Sequence, residues 1–181
     1  METERQLLDA ILGGDNQAMR RLYDRFSGYT TAVALRYVPD SEDVRDVLQD
    51  SFVKILTSIQ TFDYRGEGSM KAWVARIVAN RAIDWVKEHE RITLIEDIPE
   101  ETTDDGVPDV EPVPPDILEM MIERLPAGCR MVLNLHVFGQ LSHKDIAQRL
   151  GIKEDSSASQ FFHAKKLLKE MISEYLNSQK R

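Results

Sequence analysis

The stretch that decides the fold is LSHKDIAQRLGIKEDSSASQFFHAKKLL, residues 141–168. Apolar side chains recur in it at spacings of three or four residues on both sides of Gly151, which indicates two short helices. Glycine adopts a positive φ without steric cost, so Gly151 stands where a sharp turn between the two helices requires that conformation. Ser142, with Asp145 three residues later, resembles a capping box and marks the start of the first helix. The stretch therefore predicts a helix-turn-helix.

The second helix of this pair has the composition of an element that reads DNA. We predict an inner face of Ala158, Phe161, Phe162 and Leu168 and an outer face of Ser156, Ser159, Gln160 and His163. Side chains at the N-terminal end of such a helix reach base edges in the major groove, where glutamine can bond adenine at two points. The lysines suit phosphates, which set affinity rather than sequence choice: Lys153, Lys165, Lys166 and Lys169. The alternative is an ordinary helical hairpin with a solvated polar face.

The formal net charge of −8 at pH 7 conflicts at first sight with DNA binding, but the acidity is local. Residues 92–123 contain eleven Asp or Glu and no Lys or Arg, whereas residues 124–181 contain ten Lys or Arg against five acids. The part with the helix-turn-helix is therefore basic, and a separate acidic segment hides this in the total.

That acidic segment begins with residues 92–116, ITLIEDIPEETTDDGVPDVEPVPPD, which are rich in proline. Such a composition cannot bury enough surface to offset its ordering entropy, so we interpret it as an acidic, Pro-rich linker. It separates an N-terminal domain, residues 1–91, from a C-terminal domain, residues 117–181. The three- and four-residue spacing of apolar side chains in both domains predicts an all-α fold of two small helical domains. The predicted helices are 3–12, 15–36, 41–60, 69–90, 116–124, 127–138, 142–150 and 155–176.

Residues 40–56, DSEDVRDVLQDSFVKIL, form an amphipathic helix with acids on one side. Its predicted buried stripe is Val44, Val47, Leu48, Phe52 and Ile55. Asp43, Asp46 and Asp50 recur on the opposite face with Gln49 beside them, although like charges on one helix face repel by about 0.2–0.5 kcal/mol per pair. One interpretation is a solvated face whose acids favour the helix N-terminus. The other is a docking surface for a basic partner.

Residues 61–91, TFDYRGEGSMKAWVARIVANRAIDWVKEHER, combine a loop containing glycines and aromatic residues with a polar helix stripe. That stripe is Arg76, Asn80, Asp84 and Lys87, with Lys71 and Arg81 nearby. Aromatic and arginine side chains beside an adaptable loop can stack on unpaired bases and hold them. Trp73 and Trp85 more often belong to a core than to a base-stacking site, so the segment alone does not establish DNA binding.

Taken together and in this order, the three segments resemble the extracytoplasmic-function sigma factors of bacteria, small two-domain members of the sigma-70 superfamily. The pattern D-x-x-Q-D-S-F, residues 46–52, is similar to the core-polymerase-binding helix of that family. The pattern F…W-x-x-R-I-x-x-N-x-x-I-D, residues 62–84, is similar to its promoter-melting and minus-10 segment. Residues 125–168 are similar to its minus-35-binding domain.

The resemblance implies an alternative sigma factor with a region 2-like bundle and a region 4-like helix-turn-helix, which binds core RNA polymerase and recognises both promoter elements. The implied polymerase-binding residues, facing the clamp helices of the largest subunit, are Asp43, Asp46, Gln49, Asp50 and Phe52. The implied minus-10 residues are Arg65, Gly66, Lys71, Arg76, Asn80 and Arg81. The implied minus-35 residues are Lys153, Ser156, Ser157, Ser159, Gln160, His163 and Lys166. The linker would follow the polymerase toward its RNA path.

The resemblance also implies an anti-sigma factor as a partner and weak promoter binding by the free chain. The sequence departs from the family pattern at Gln160, where arginine is frequent, and at Phe162 and His163, where another base is frequent. The reading helix is therefore less basic than usual, and the minus-35 sequence does not follow from it.

Two other functions fit parts of the sequence. A simple DNA-binding regulator would use only the helix-turn-helix, with the N-terminal half as a sensor or dimerisation domain, and would bind an operator without polymerase. A helical adaptor that binds only proteins would make the basic C-terminal part incidental. The acidic helix and the segment that resembles a promoter-melting element argue against the regulator.

The sequence does not show the residue patterns of enzymes, metal-binding proteins or membrane proteins. No nucleophile–base pair, phosphate-cradling glycine loop or metal-ligand cluster is evident, so we expect no enzymatic activity, metal or cofactor. Cys129 is the only cysteine, which excludes an internal disulfide and fits a reducing cytoplasm. No run of about 18 apolar residues predicts membrane insertion, and the N-terminal METERQLLDAIL lacks the signal-peptide pattern.

Overall fold

The computed structural model describes residues 2–89 and 113–179, and within these ranges every regular element is helical. The chain divides into one unit within Met1–His89 and a second within Glu90–Arg181. The predicted all-α fold of two small helical domains is therefore confirmed. Most of the predicted linker lies outside the described residues, and its last two residues already belong to a helix. The domain boundaries stay a prediction.

The N-terminal unit consists of four α-helices and one short turn of 3-10 helix. These are α1 (Glu4–Leu12), α2 (Asn16–Leu35), α3 (Ser41–Ser58) and α4 (Ser69–His89), with the 3-10 turn Ile59–Thr61 after α3. Asp15 and Asp40 precede α2 and α3, and their carboxylates accept hydrogen bonds from backbone amides of the first turn. Since these amides have no partner within the helix, the two caps fix where α2 and α3 begin.

The core of the N-terminal unit is built from the apolar stripes of all four helices. Leu7, Leu22, Ile55, Met70 and Val74, which together represent all four helices, are fully buried. Burying each such side chain contributes roughly 1.5–3 kcal/mol, so the shared core is what holds the helices in one unit.

The C-terminal unit consists of α5 (Pro115–Glu123), α6 (Ala127–Val137), α7 (His143–Leu150) and α8 (Glu154–Gln179). The last two helices form the predicted helix-turn-helix. Ser142 Oγ accepts a hydrogen bond from the Asp145 amide at 3.1 Å and donates one to the Asp145 carboxylate at 2.6 Å. Gly151 ends α7 in the left-handed region with φ of 70°. The predicted helix start and the predicted glycine turn are both confirmed.

The inner face of α8 differs from the predicted one. Ser157, Gln160 and Ala164 are buried, whereas Ala158 is exposed and Phe162 is half-buried. At about 3.6 residues per turn, residues spaced by three and four share one side of the helix, and this side faces α6 and α7. The outward placement predicted for Gln160 is therefore wrong, because the register of the helix and not side-chain polarity sets its direction.

Candidate nucleic-acid interface and acidic docking face

One side of α3 is acidic and open to solvent. We define the acidic face as Asp46, Gln49 and Asp50, which are exposed, together with the half-buried Asp43. These predicted polymerase-binding residues therefore lie together on one side of one helix. Phe52, also predicted, is buried beneath this side at 7% exposure. Its ring therefore lies beneath the face and is not part of the exposed surface.

Two exposed apolar side chains accompany the acidic residues, and sequence analysis missed both. Val53, 59% exposed, follows Asp50 by three residues on α3. Tyr23 of α2 is 51% exposed, and its ring centroid lies 4.7 Å from that of Phe52. The spacing of Val53 from Asp50 could have revealed the first. Nothing in the sequence joins Tyr23 to Phe52, since they lie on different helices.

Arg81 of α4 is bound to acidic residues and not to the loop that precedes its helix. Its Nε lies 2.9 Å from Asp50 Oδ2, and its Nη1 lies 3.3 Å from Glu88 Oε2. The hydrogen bond to Asp50 is the main cause that raises the pKa of Arg81 above its ordinary value. Arg81 thus bridges α4 to the acidic face and partly neutralises one of its carboxylates.

The loop before α4, residues 62–68, adopts a backbone conformation that favours glycine. We call it the glycine loop, because Gly66 has φ of 122° and Gly68 has φ of 90°, values that side-chain-bearing residues rarely adopt. Arg65 is exposed beside them. Trp73, near the start of α4, is half-buried against the core of the unit, which supports the interpretation of this tryptophan as a packing residue.

The remaining predicted minus-10 residues on α4 are not part of the core. Lys71, Arg76 and Asn80 are exposed, and the Lys71 ammonium stands 4.3 Å from the centroid of the Tyr29 ring. A cation above an aromatic ring is attracted by the ring quadrupole, so this contact orders the lysine next to the glycine loop. Sequence analysis missed Tyr29, because it belongs to α2 and no local pattern connects it with α4.

Of the seven predicted minus-35 residues, four lie on the outer side of α8, and Lys153 directly precedes the helix. Lys153 and Lys166 are exposed, whereas Ser156, Ser159 and His163 are half-buried. Ala158 is exposed among them and was missed, since a small apolar residue was assigned to the core. Ser157 and Gln160 are buried and do not belong to this surface, which corrects the outward placement of Gln160 and removes Ser157 from the exposed side of the helix.

Gln160 is part of the interior of the C-terminal unit. Its side chain is 0% exposed, and its Oε1 accepts a hydrogen bond from the Cys129 thiol at 3.2 Å. Burial raises the pKa of Cys129 to about 11, so the thiol keeps its proton and donates at neutral pH. The buried Nε2 of Gln160 has no hydrogen-bond partner among the described residues. A buried donor of this kind costs about 1–3 kcal/mol of stability.

Replacing Gln160 by methionine is expected to stabilise the C-terminal unit by about 1 kcal/mol, because it removes an unpaired donor at similar volume. Thermal unfolding measures this change. Transcription from a library of minus-35 variants should keep the wild-type preference, whereas Ser159→Ala on the outer side should alter it. A Gln160→Met chain that prefers different minus-35 sequences would contradict the buried role.

Two histidines stack face to face in the C-terminal unit. The ring centroids of His136 and His143 are 4.5 Å apart and their planes differ by 8°. His136 Nδ1 lies 2.8 Å from the Leu141 carbonyl, so it donates there. His143 Nδ1 lies 3.0 Å from Ser157 Oγ, which ties α7 to the buried side of α8. The pair thus connects three helices of the unit.

Acidification is expected to destabilise the C-terminal unit through His143. Burial, and next the neighbouring His136, lower the pKa of His143, while Glu154 raises it to a smaller extent. The unfolded chain then binds more protons than the folded one, so stability is retained above the ordinary pKa of 6.5 and is lost as the pH falls below it. Thermal unfolding of His143→Gln should show a weaker decline with pH than wild type. His89→Gln in the other unit is the control. If the thermal stability of His143→Gln declined with pH as strongly as that of wild type, this assignment would be contradicted.

Two features are absent from the part of the chain that the structure describes. No helix there combines the length and the apolar character needed to cross a membrane. Within the same residues, no three His, Cys, Asp or Glu side chains are grouped so that they could hold a metal ion.

Two family models match the chain in sequence. The model for Sigma-70 region 2 matches residues 22–92, which include the acidic face and the glycine loop. The model for Sigma-70, region 4 matches residues 116–168, which include the helix-turn-helix. Together the two matches cover more than half of the chain and occur in the order that the resemblance predicted.

Curated relatives are similar over almost the whole length. The ECF RNA polymerase sigma-E factor of Haemophilus influenzae is 27% identical, with 94% of this chain and 95% of the relative covered. The protein of the same name from Escherichia coli strain K12 is 26% identical, and the RNA polymerase sigma-H factor of Pseudomonas aeruginosa is 24% identical, both with 94% of each chain covered.

Two solved structures have a similar fold. The structure of CnrH in complex with the cytosolic domain of CnrY has a TM-score of 0.51 at 21% identity, covering 95% of this chain and 98% of that one. The sigma factor RpoE of Bartonella quintana, solved in complex with the anti-sigma factor NepR, also has a TM-score of 0.51, at 17% identity, covering 85% of this chain and 96% of that one.

Proposed function

The chain belongs to the sigma-70 family as an extracytoplasmic-function sigma factor, and from this premise we propose how its surfaces divide the work of transcription initiation. The N-terminal unit binds core RNA polymerase and the minus-10 element, and the C-terminal unit binds the minus-35 element. The observation that carries the proposal is the separation of charge: the exposed carboxylates of α3 face away from the core on one unit, and exposed lysines flank the reading helix of the other. Acidic groups suit a basic protein surface, and lysines suit DNA phosphates.

The polymerase contact is made by the acidic face. Asp46, Gln49 and Asp50 meet the clamp helices, and Val53 adds apolar contact at the same side. Tyr23 and the buried Phe52 hold the outer surface of α2 and α3 in shape. An apolar centre with charges around it is the usual composition of a specific protein interface, since burial supplies affinity and charge supplies orientation.

The minus-10 contact is made by the glycine loop and the solvent side of α4. Arg65 and Lys71 neutralise phosphates, and Arg76 and Asn80 face the opened strand. Gly66 lets the backbone approach the nucleic acid, because no side chain stands in the way. Arg81 has a different role in this proposal, since its bond to Asp50 holds α4 against the acidic face.

The minus-35 contact is made by the N-terminal half of α8 and by the residue directly before it. Lys153 and Lys166 bind phosphates, and Ser156, Ser159 and His163 reach base edges in the major groove. Ser157 and Gln160 support this surface from within, through their contacts with His143 and Cys129.

An anti-sigma factor controls the chain in this proposal. The similar structures contain a sigma factor bound to an anti-sigma factor, or CnrH bound to the cytosolic domain of CnrY. The chain acts in the cytoplasm, where its polymerase is, and has no catalytic activity of its own. Free chain should bind promoter DNA weakly, and strong sequence-specific binding without polymerase would favour the simple regulator.

The experiment that tests the function is a reconstitution. Purified chain, bacterial core polymerase and a pool of genomic promoter DNA are combined, and run-off transcripts are sequenced. Transcripts that begin downstream of a shared two-part motif only when the chain is present support the proposal. A shifted DNA band without polymerase, together with no transcripts, would assign the chain to the simple regulators. Binding to neither DNA nor polymerase would favour the helical adaptor.

A further inference from the structure

A buried carboxylate from α1 caps the start of α4. Glu4 is only 2% exposed. Its Oε2 accepts hydrogen bonds from the amides of Gly68 and Met70, each at 2.9 Å, and its Oε1 accepts one from the amide of Lys71 at 3.1 Å. The first amides of a helix have no partner within that helix, so this side chain satisfies donors of a helix that begins more than sixty residues later.

A second carboxylate makes the reciprocal contact, with the start of α1. Glu67, in the glycine loop, accepts a hydrogen bond from the backbone amide of Glu4. The amide nitrogen lies 3.1 Å from Glu67 Oε2 and 3.3 Å from Oε1. It also accepts one from Arg25 Nη2 at 3.1 Å and one from the Tyr64 hydroxyl at 3.4 Å. We call this reciprocal pair the Glu4–Glu67 clasp. It is the arrangement of a capping box, but formed between two helices instead of within one.

The clasp replaces a cap that α4 could have made for itself. Ser69 begins α4, yet its hydroxyl donates to the Gly66 carbonyl at 2.6 Å and stands 3.3 Å from the Arg65 amide. The serine thus closes the glycine loop on itself. A cap inside the helix would fix only the helix start, whereas a cap from α1 fixes the loop and the helix relative to the rest of the unit.

The glycine loop needs such fixing because its backbone is intrinsically permissive. Two glycines at positive φ lose more conformational freedom on ordering than other residues. A loop that holds one base in one pose must be ordered before the base arrives, since a site loose by about 1 Å loses much of its selectivity.

From these contacts we propose that Glu4 is a positioning residue for minus-10 recognition. It acts through the glycine loop, holding Gly68 and the first turn of α4 in place, and does not touch DNA itself. The inference rests on the proposed function, because it names a residue that sharpens base choice at the same site.

A role of Glu4 through its charge and a role through positioning predict different effects on DNA binding when the carboxylate is removed, so the two can be distinguished. A carboxylate near DNA repels phosphates, so its neutralisation alone would strengthen DNA binding and leave base choice unchanged. Loss of positioning would instead weaken the preference for the correct minus-10 base. Only the second result follows from the clasp.

The test uses Glu4→Gln in the full chain with core polymerase. The new glutamine has an amide Nε2 in place of one carboxylate oxygen. Because Nε2 donates and cannot accept a hydrogen bond from a backbone amide, up to two of the three hydrogen bonds that Glu4 accepts are lost. The ratio of run-off transcription from the preferred minus-10 sequence to that from single-base variants should fall about tenfold, because hydrogen bonds to a charged group are strong. Holoenzyme formation should match wild type. Amide hydrogen exchange at Gly68 and Met70 should accelerate.

The matched control is Asp9→Asn, which removes the same charge from an exposed position on the same helix. It should leave the ratio unchanged. Should Glu4→Gln fail to fold, Glu67→Gln keeps the buried carboxylate and opens only the other half of the clasp, and it should lower the ratio in the same direction. An unchanged ratio in the folded variant, or an equal loss on all minus-10 sequences, would overturn the inference. A wild-type chain that directs no promoter-specific transcripts would instead overturn the proposed function.

Discussion

Replacing Asp46 and Asp50 together by lysine is expected to weaken binding to core RNA polymerase by roughly a hundredfold or more, because like charges facing each other cost several kcal/mol. Both side chains are exposed on α3, so the exchange leaves the core of the unit unchanged. It breaks the ion pair between Asp50 and Arg81, but an exposed pair contributes at most about 1 kcal/mol. The unit should therefore remain folded.

Holoenzyme formation can be measured by the fluorescence anisotropy of labelled chain titrated with core polymerase, with circular dichroism to verify helix content. The matched control is Asp9→Lys with Asp24→Lys, which changes the net charge equally at exposed acids outside the acidic face. That control should bind as wild type does. If the double variant at the acidic face formed holoenzyme with wild-type affinity, the polymerase-binding role of this face would be wrong.

Replacing Lys153 and Lys166 together by glutamate is expected to reduce promoter binding by the holoenzyme by roughly ten- to a hundredfold, to a similar extent for all minus-35 sequences. Both lysines are exposed, Lys153 directly before the reading helix and Lys166 on its outer side. Phosphate contacts set affinity and salt dependence, whereas base contacts set sequence preference. The logarithm of the binding constant plotted against the logarithm of salt concentration should lose a slope of about one per lysine.

Filter binding or anisotropy at several salt concentrations measures both quantities. Arg5→Glu with Arg20→Glu makes the same charge change at exposed bases of the other unit and serves as the control. Ser159→Ala is the complementary variant, since it should change sequence preference with little change in salt slope. A double lysine variant with wild-type affinity and slope would show that α8 meets DNA along another side.

Local patterns predicted the features that local physics determines. The start of α7 at Ser142 and its end at Gly151 follow from capping and from a positive φ, which involve only neighbouring residues. The solvent exposure of Asp46 and Asp50 follows from the apolar stripe opposite them. Such features need no knowledge of what the helix packs against.

The errors and omissions have a common physical cause. Gln160 was assigned to the outer side because it is polar, yet a buried thiol bonds its oxygen and the helix register turns it inward. Tyr23, Tyr29 and Glu4 act through residues on other helices, and no periodicity connects positions so far apart. The burial of Gln160 and the contacts of the other three residues therefore depend on packing between helices, which residue type and spacing do not reveal.

The clasp also bears on how the N-terminal unit is made. Glu4 is synthesised early, but the amides it caps emerge only after three helices have been added to the growing chain. Contacts between residues distant in sequence form late and slow folding, because a long loop must close before they are gained. The Glu4 carboxylate therefore lacks the amides that it caps until the start of α4 has been synthesised. An incompletely synthesised chain could already display the acidic helix while still lacking the element that selects a promoter, so the competence to choose a start site arrives last.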